Sequence, residues 1–502
     1  MVDRTLTSWA TTVLQPGFEG TRAPEWVRRR LSDGLASVLL FARNIDGPEQ
    51  LAALTAELRA ANPDVLVAAD EEGGDVTRLD AAAGSAYPGN LALGAVDDLQ
   101  LTEQVARSLG RRLARAGIGL DYAPDVDVNS NPDNPVIGVR AFGADPALVA
   151  RHAAAWVRGL QSAGVAACAK HFPGHGDTDV DSHFALPTVR LSRQELTQVT
   201  LPPFRAAIDA GARAVMLGHL LLPALDPDAP ATVSPHAVDL LRRDLGFGGL
   251  VVTDAMEMRA VKDRYGLERA VVLAVAAGAD LVCIGHSGGP DTVDRLVATL
   301  VAAVHAGELP QERLAAAAAA VLGFAARSRR ALAAAAADPA HRDEGPDAEV
   351  GLVAARRALT VAEQTAGALP LSAAPHVAAF TVYGPTALGS IAETSLGEQL
   401  AELLPGTTRG VLGECTEAAV AKVLAEATGR PLVLAVRSAH RRAWQREALD
   451  LLLDARPDAI VAELGLPGTG PLGAAYLAAH GASRVCARAV AEALAFGTAA
   501  GN

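Results

Sequence analysis

Cysteine is scarce. Cys168, Cys283, Cys415 and Cys486 are the four in 502 residues, they lie far apart, and no two form a CxxC pair. That argues against a zinc knuckle and against a dense disulfide framework, and it fits a reducing compartment. Positive charge is also short: 44 Lys and Arg stand against 57 Asp and Glu, a net charge of −13. A surface of that sign is not built to hold phosphate backbones or anionic lipid, so neither nucleic acid nor a membrane is an expected partner. Long apolar runs are missing as well. No stretch approaches the roughly eighteen residues that span a bilayer. The opening segment, Met1 to Gly17, is broken by Asp3, Arg4 and Gln15 before it can form a signal-peptide core. The expectation is a soluble, cytoplasmic protein.

Half of the residues are apolar, enough for a large core in two or three domains. Short apolar runs bounded by turn residues mark seven candidate strands in the first 290 residues: Ser37–Ala42, Val65–Ala69, Gly119–Ala123, Ala166–Ala169, Ala214–Leu217, Leu250–Thr253 and Leu281–Ile284. They alternate with helical stretches, which implies parallel strands covered by helices. No eighth strand is evident, and the alanine-rich region Leu314–Ala337 either closes or leaves the sheet. The informative polar residues all follow a strand: Asp70, Asp125 and Asp127, Lys170 and His171, His219, Asp254 and His286. A (β/α)₈ TIM-like barrel brings such carboxyl-terminal ends to one face, whereas an open doubly wound sheet strings them along an edge. The barrel is therefore expected over residues 1–336.

Pro, Gly and charge over residues 337–347 read as a linker. Beyond it, apolar runs at Val377–Val382, Pro431–Val436, Ala459–Glu463 and Val485–Cys486 alternate with helical patterns at Leu396–Leu404, Glu417–Ala427 and Trp444–Leu453. A smaller three-layer α/β domain over 348–502 is expected.

The densest polar segment runs from Lys170 to His183, KHFPGHGDTDVDSH. His171 and His175 have the spacing of a zinc-binding helix, but Pro173, Gly174 and Gly176 break any helix there. Asp177, Asp179 and Asp181 imitate a calcium loop, yet Ser182 and Thr188 stand where that loop needs Gly and Glu. No metal and no cofactor is implied. Glycoside hydrolysis needs a nucleophile or base on one side of the scissile bond and a proton donor on the other. Asp254, in VVTDAMEM directly after a buried strand, suits the first role, although a lone strand-end Asp also serves as a helix cap. His219 and His286 are better explained as structural histidines than as ligand contacts, Asp125 and Asp127 equally as turn formers or sugar contacts, and Met256 and Met258 as packing residues.

Four segments in order, DEEGGDVTRL at Asp70–Leu79, NPVIGVRAFG at Asn134–Gly143, KHFPGHGDTDVDSH and TDAMEM, resemble the family 3 glycoside hydrolases, specifically the β-N-acetylglucosaminidases of the NagZ type. The resemblance covers the first domain. It implies that Asp254 is the catalytic nucleophile and that His183 is the general acid/base with Asp181 as its partner. It also implies that Asp70, Arg78, Arg140, Lys170 and His171 hold N-acetylglucosamine, and it points to a small carbohydrate substrate of cell-wall recycling. The physical logic is compatible. An imidazole titrates near neutrality, and Asp181, two residues earlier, falls on the same side of an extended loop and favours the imidazolium. Retention through a glycosyl-Asp254 intermediate follows. One departure is Gly73-Gly74-Asp75, where the family commonly reads GGR; altered local pairing is expected there, with Arg78 retained.

Three other readings stand beside this one. The substrate's own acetamide could act as nucleophile, assisted by Asp70, Glu71 and Glu72. A phosphorylase is possible because a neutral histidine does not repel phosphate. Gly468-Thr469-Gly470-Pro471-Leu472-Gly473 formally fits a GxGxxG nucleotide or sensor loop, although Pro471 intrudes and no ribose-binding acid follows.

Overall fold

The computed structural model describes residues 4–285, 289–338, 349–381, 395–468 and 470–497. They fall into two compact units, Met1–Glu72 with Leu99–Asp347, and Gly73–Asp98 with Ala348–Asn502.

In the first unit eight short strands run parallel: β1 Leu14–Pro16, β2 Ser37–Leu39, β3 Leu66–Ala69, β4 Leu120–Asp121, β5 Ala166–Phe172, β6 Ala214–Leu217, β7 Leu250–Thr253 and β8 Val282–Ile284. Strands β2 to β7 form one sheet in sequence order, and β1 pairs with β8. A Val252–Leu281 bridge carries the ladder from β7 to β8. This is the curled parallel sheet of a TIM-like barrel. The seven expected strands are present: β6 and β7 have the expected bounds, β2, β3, β4 and β8 are trimmed by one to three residues, and β5 extends to Phe172. The eighth is β1, hidden from an apolar search because its centre is Gln15. That side chain is fully buried. It donates to Ser37 Oγ at 2.6 Å and accepts from the Tyr122 hydroxyl, so a polar residue ties β1 to β2 and to the residue after β4.

Side chains alternate along a strand, so residues two apart share a face. Leu66 and Ala68, Ala166 and Cys168, Ala214 and Met216, and Leu250 and Val252 meet in one buried cluster inside the barrel. The next positions in the same parity are Asp70, Lys170 and Asp254. The helix Gln311–Ala337 contributes Val321, Phe324 and Ala325 to that cluster. Its Ser328 hydroxyl donates to Gly119 O at 3.1 Å, just before β4. A Cβ on Gly119 would lie 2.2 Å from that hydroxyl, so the glycine admits the helix beneath the strands' amino ends. The alanine-rich region therefore packs against the barrel.

The second unit has a six-stranded sheet built from β9 Thr360–Glu363, β10 His376–Phe380, β11 Thr408–Leu412, β12 Leu432–Val436, β13 Ile460–Glu463 and β14 Ala475–Ala478. The order is β11-β10-β12-β13-β14-β9, with only β9 antiparallel to its neighbour. Val377, Val433 and Ala435 face helices Leu396–Leu403 and Arg484–Phe496, while Ala378, Leu432 and Leu434 face helices Glu417–Glu426 and Ala443–Ala455. The sheet is the middle layer of three; its inner strands β10, β12, β13 and β14 are buried on both faces and read as largely apolar runs, whereas the edge strands β11, TRGVL, and β9 are exposed or half-buried but for Leu412. Val485 and Cys486, expected as a strand, begin the helix Arg484–Phe496 behind an N-cap from Ser483; Val382 lies outside the described residues.

The excursion Gly73–Asp98 groups with this second unit, whereas the sequence reading kept residues 1–336 together. Its anchor is Asp75, whose carboxylate is ion-paired with Arg437 and accepts a bond from Ala482 N at 2.9 Å. The GGR departure thus has a partner of opposite sign. Within electrostatic reach of Arg437, Glu463 is buried at the carboxyl end of β13 and accepts bonds from Ser438 N at 2.6 Å and Gly465 N at 2.7 Å. Burial outweighs those bonds and pushes its carboxyl up to about 7.

Candidate active site

Lys170 ends the inward row of β5 and is 2 % exposed. A buried ammonium needs counter-charges. It has two, Asp70 Oδ1 at 2.5 Å and Glu72 Oε1 at 2.6 Å, both from the stretch after β3. Glu72 is also gripped by Arg140, whose Nε and Nη2 donate to its two oxygens at 3.0 and 2.6 Å. Burial alone would raise Glu72's pKa, but Arg140 and Lys170 hold it below the usual carboxylate range. Burial would likewise discharge Lys170 and Arg140; the carboxylates around them, Asp70 and Glu72 for the lysine, Glu72 and Asp125 for the arginine, reverse the sign and keep both protonated.

His171 sits on the other side of the guanidinium. Its Nδ1 lies 2.8 Å from Asp127 Oδ2, and Arg140 Nη2 lies 3.4 Å from its Nε2. Arginine can only donate, so Nε2 is the acceptor of that contact and Nδ1 the donor to Asp127. Asp127 also receives His175 N at 2.6 Å. The neighbouring Asp125 is buried, and burial followed by the charge of Asp127 raises its pKa well above normal. Asp125, Asp127 and His171 each bring one potential ligand atom within 4.8 Å of the others. The protein already supplies a cation there, since Arg140 Nη2 stands 3.5 Å from Asp125 Oδ2, and the His171–Asp127 hydrogen bond uses the facing nitrogen. These two aspartates, read from sequence as turn formers or sugar contacts, serve internal bonding.

Asp254 follows β7. Its backbone N–H donates to Leu217 O at 3.0 Å, and its Oδ1 accepts from Ala255 N at 2.7 Å. Burial would raise its pKa; the imidazoles of His219, His171 and His183 and the Ala255 N–H overcome that and lower it. His219 is itself kept mostly neutral by burial. Its two nitrogens lie 2.7 Å from Thr232 Oγ1 and 2.9 Å from Ala255 O, so it braces the turn behind the carboxylate. His286 lies outside the described residues.

His183 lies on the loop after β5 with 40 % of its side chain exposed, and its Nδ1 is 2.8 Å from Asp181 Oδ1. The same oxygen accepts His183 N at 2.9 Å. Burial would lower the imidazole's pKa, but the Asp181 bond and charge, aided by Asp254, raise it. The loop is tied across to the segment after β7 by Ala260 N donating to Ser182 O at 3.4 Å. The barrel thus unites Asp70, Arg140, Lys170 and His171 in one network and sets the Asp181–His183 pair within electrostatic reach of Asp254. Arg78 belongs to the excursion Gly73–Asp98, so it is not among the residues this unit brings together by itself. Sequence reasoning missed the central position of Glu72; an acid in the inward stretch after β3, beside the cationic candidates Arg140 and Lys170, was the available signal.

Two features bear on the other readings. Glu72 and Asp70 are committed to cations, and Glu71 N is bound to the buried Asp121 carboxylate at 2.9 Å. The GxGxxG-like loop leads from β13 directly into β14 and opens no helix, so a pyrophosphate has no helix N-terminus to rest on there; Thr469 lies outside the described residues.

A family model described as "Glycosyl hydrolase family 3 N terminal domain" matches residues 20–324, more than half of the chain. Beta-hexosaminidase A of Pseudoalteromonas piscicida is 35% identical over 307 residues, which cover 56% of this chain and 51% of that protein, so the chain spans about half of that relative's length. A beta-hexosaminidase of Nitrosomonas eutropha is 35% identical over 289 residues, covering 56% of this chain and 82% of that one. The solved structure of a glycoside hydrolase family 3 beta-N-acetylglucosaminidase from Paenibacillus sp. str. FPU-7 superposes with a TM-score of 0.87 at 33% identity, covering 98% of this chain and 97% of that one. With a barrel, a polar cluster at its strand ends and a matching family model over that region, the chain belongs to glycosyl hydrolase family 3.

Proposed function

We propose that this protein is a retaining exo-β-N-acetylglucosaminidase that removes terminal β-linked N-acetylglucosamine from small glycosides such as cell-wall fragments. The observation that carries the reading is the placement of a carboxylate, Asp254, directly after β7 and of an imidazole, His183, on the loop after β5 with its Nδ1 2.8 Å from Asp181 Oδ1; the two groups sense each other, which helps to lower the pKa of Asp254 and to raise that of His183. In the first step Asp254 attacks the anomeric carbon while His183 gives its proton to the leaving oxygen; in the second, His183 takes a proton from water as water displaces Asp254. Asp70, Arg140, Lys170 and His171 hold the sugar. Commitment of Asp70 and Glu72 to ion pairs supports Asp254 over the substrate's acetamide as nucleophile.

The test compares His183→Ala on an N-acetylglucosaminyl disaccharide and on an aryl glycoside with a good leaving group. Judged by kcat/KM, which reports the first step alone, the disaccharide should lose far more, because the aryl leaving group needs little protonation; kcat also carries the second step, in which His183 is the base for either substrate. Equal loss on both refutes the assignment. Asp254→Ala should abolish both, and a 2-fluoro or 5-fluoro sugar should label Asp254. Running the wild type with inorganic phosphate separates hydrolysis, which yields the free sugar, from phosphorolysis, which yields the sugar 1-phosphate. The second acceptor is favoured by one feature, the imidazole in place of an anionic acid/base.

A further inference from the structure

His175 has no part in the mechanism above. It is 2 % exposed, and every polar atom it carries is engaged. Its N–H donates to Asp127, its carbonyl accepts from Asn134 Nδ2 at 2.8 Å, its Nδ1 lies 2.8 Å from Thr178 Oγ1, and its Nε2 lies 3.1 Å from Ser182 Oγ. The directions can be assigned. Thr178 has one hydroxyl proton and gives it to His175 O at 3.0 Å. It must therefore accept at its oxygen, from Asn134 Nδ2 at 3.2 Å and from Nδ1–H of His175. The imidazole then has Nε2 free to accept, and Ser182 donates into it. Burial pushes His175 down to about 4, so it stays neutral and this pattern holds at physiological pH.

Ser182 is the residue before His183, is itself 2 % exposed, and receives Ala260 N on its carbonyl. One residue in the loop is thus held from two directions, by a buried ring at the base of the loop and by the segment that follows Asp254. From this geometry we infer that His175 is a positioning residue for the acid/base: through Ser182 it holds the loop so that His183 meets the leaving oxygen. The inference rests on the acid/base role proposed for His183. A side chain that only stabilised the fold would affect all substrates alike. One that aims His183 affects those that need a proton, because a shift of about 1 Å in a proton donor costs on the order of a hundredfold in rate.

Three variants test it. His175→Asn keeps a group at the Nδ1 position for Thr178 but cannot reach Ser182; His175→Gln places an amide oxygen near the Nε2 position and can still accept from Ser182; Ser182→Ala removes the donor. With His175→Asn and Ser182→Ala, kcat/KM on the disaccharide, which reports the protonation step, should fall about tenfold to a hundredfold, while kcat/KM on an activated aryl glycoside stays within about twofold. His175→Gln should recover most of the loss. Equal loss on both substrates, or no advantage of Gln over Asn, overturns the positioning role. Ser182→Ala, a small change, keeps the test decisive if the His175 variants do not fold. His183→Ala alongside separates the two claims: leaving-group dependence there with none in Ser182→Ala defeats the positioning role alone, and none in either defeats the acid/base assignment with it.

Discussion

Replacing Glu72 by Gln probes the site's electrostatics with almost no change of shape. The glutamate accepts three charge-assisted bonds, two from Arg140 and one from Lys170, and its side chain is 3% exposed. Glutamine has one accepting oxygen and turns its NH₂ toward a cation. Removing one partner of a buried ion pair costs roughly 3–5 kcal/mol, because the other charge is left uncompensated. Two cations are affected here, which pushes the loss up. Lys170 keeps Asp70, however, and Arg140 keeps Asp125 at 3.5 Å. Asp125 would also ionise more readily, since the charge of Glu72 is one of the causes that raise it. The balance lies near the lower end, about 3 kcal/mol, a large share of a typical stability of about 5–15 kcal/mol. With an unfolding entropy of roughly 2.1 cal/mol/K per residue, a unit of this size shifts by about 1.5 °C per kcal/mol, so the barrel unit should melt on the order of 4–5 °C lower in calorimetry. Glu25→Gln, which breaks the exposed Glu25–Arg28 pair, should move it by less than about 2 °C. If Glu72→Gln moves the transition no further than Glu25→Gln does, the network is not what holds the strand ends together.

Asp181→Asn removes what raises the pKa of His183, leaving burial to lower it. The alkaline fall of kcat/KM, set by loss of the imidazolium, should shift to lower pH; an unmoved limb would assign that ionisation elsewhere. Glu463 has a folded pKa of about 7, above its unfolded value, so its contribution to stability is full at acid pH and is lost as pH rises toward and through 7. Glu463→Gln should therefore flatten the dependence of the second unit's melting temperature between about pH 4.5 and 7, and a slope equal to the wild type's would contradict this. Gly176→Ala would place a Cβ 1.7 Å from Val128 O, a backbone atom that cannot swing aside. Loss of soluble, folded protein or a melting temperature lowered by many degrees is expected; a normal melt would mean the two loops are free to separate.

Much of the barrel was legible because strands buried on both faces are apolar runs and because chemistry collects at one end of such strands. The parity argument could have been made from sequence: Leu66, Ala68 and Asp70 alternate as Leu250, Val252 and Asp254 do. β1 escaped because Gln15 breaks its apolar pattern, and its hydrogen bonds to Ser37 and Tyr122 depend on partners 22 and 107 residues away. β9 escaped because its exposed Thr360 and Glu363 look like a surface turn. The roles of Glu72 and Asp127 were illegible for a related reason. Their importance lies in what faces them, and the cations and rings concerned arrive from β5 and from residues 138–140. The Asp181–His183 pair needed no such information, since two residues of loop bring it together.

The excursion Gly73–Asp98 bears on how such a protein can be rearranged during evolution. A chain stopped in the linker would retain Asp75 but lose both the guanidinium of Arg437 and the amide of Ala482, leaving a carboxylate made for burial without its counterparts. The C-terminal segment is therefore not a cassette that can be added or dropped at one junction. Any lineage that exchanged it would have to rewrite a stretch between β3 and β4 at the same time, and the departure from GGR at Asp75 is the mark such a joint revision would leave.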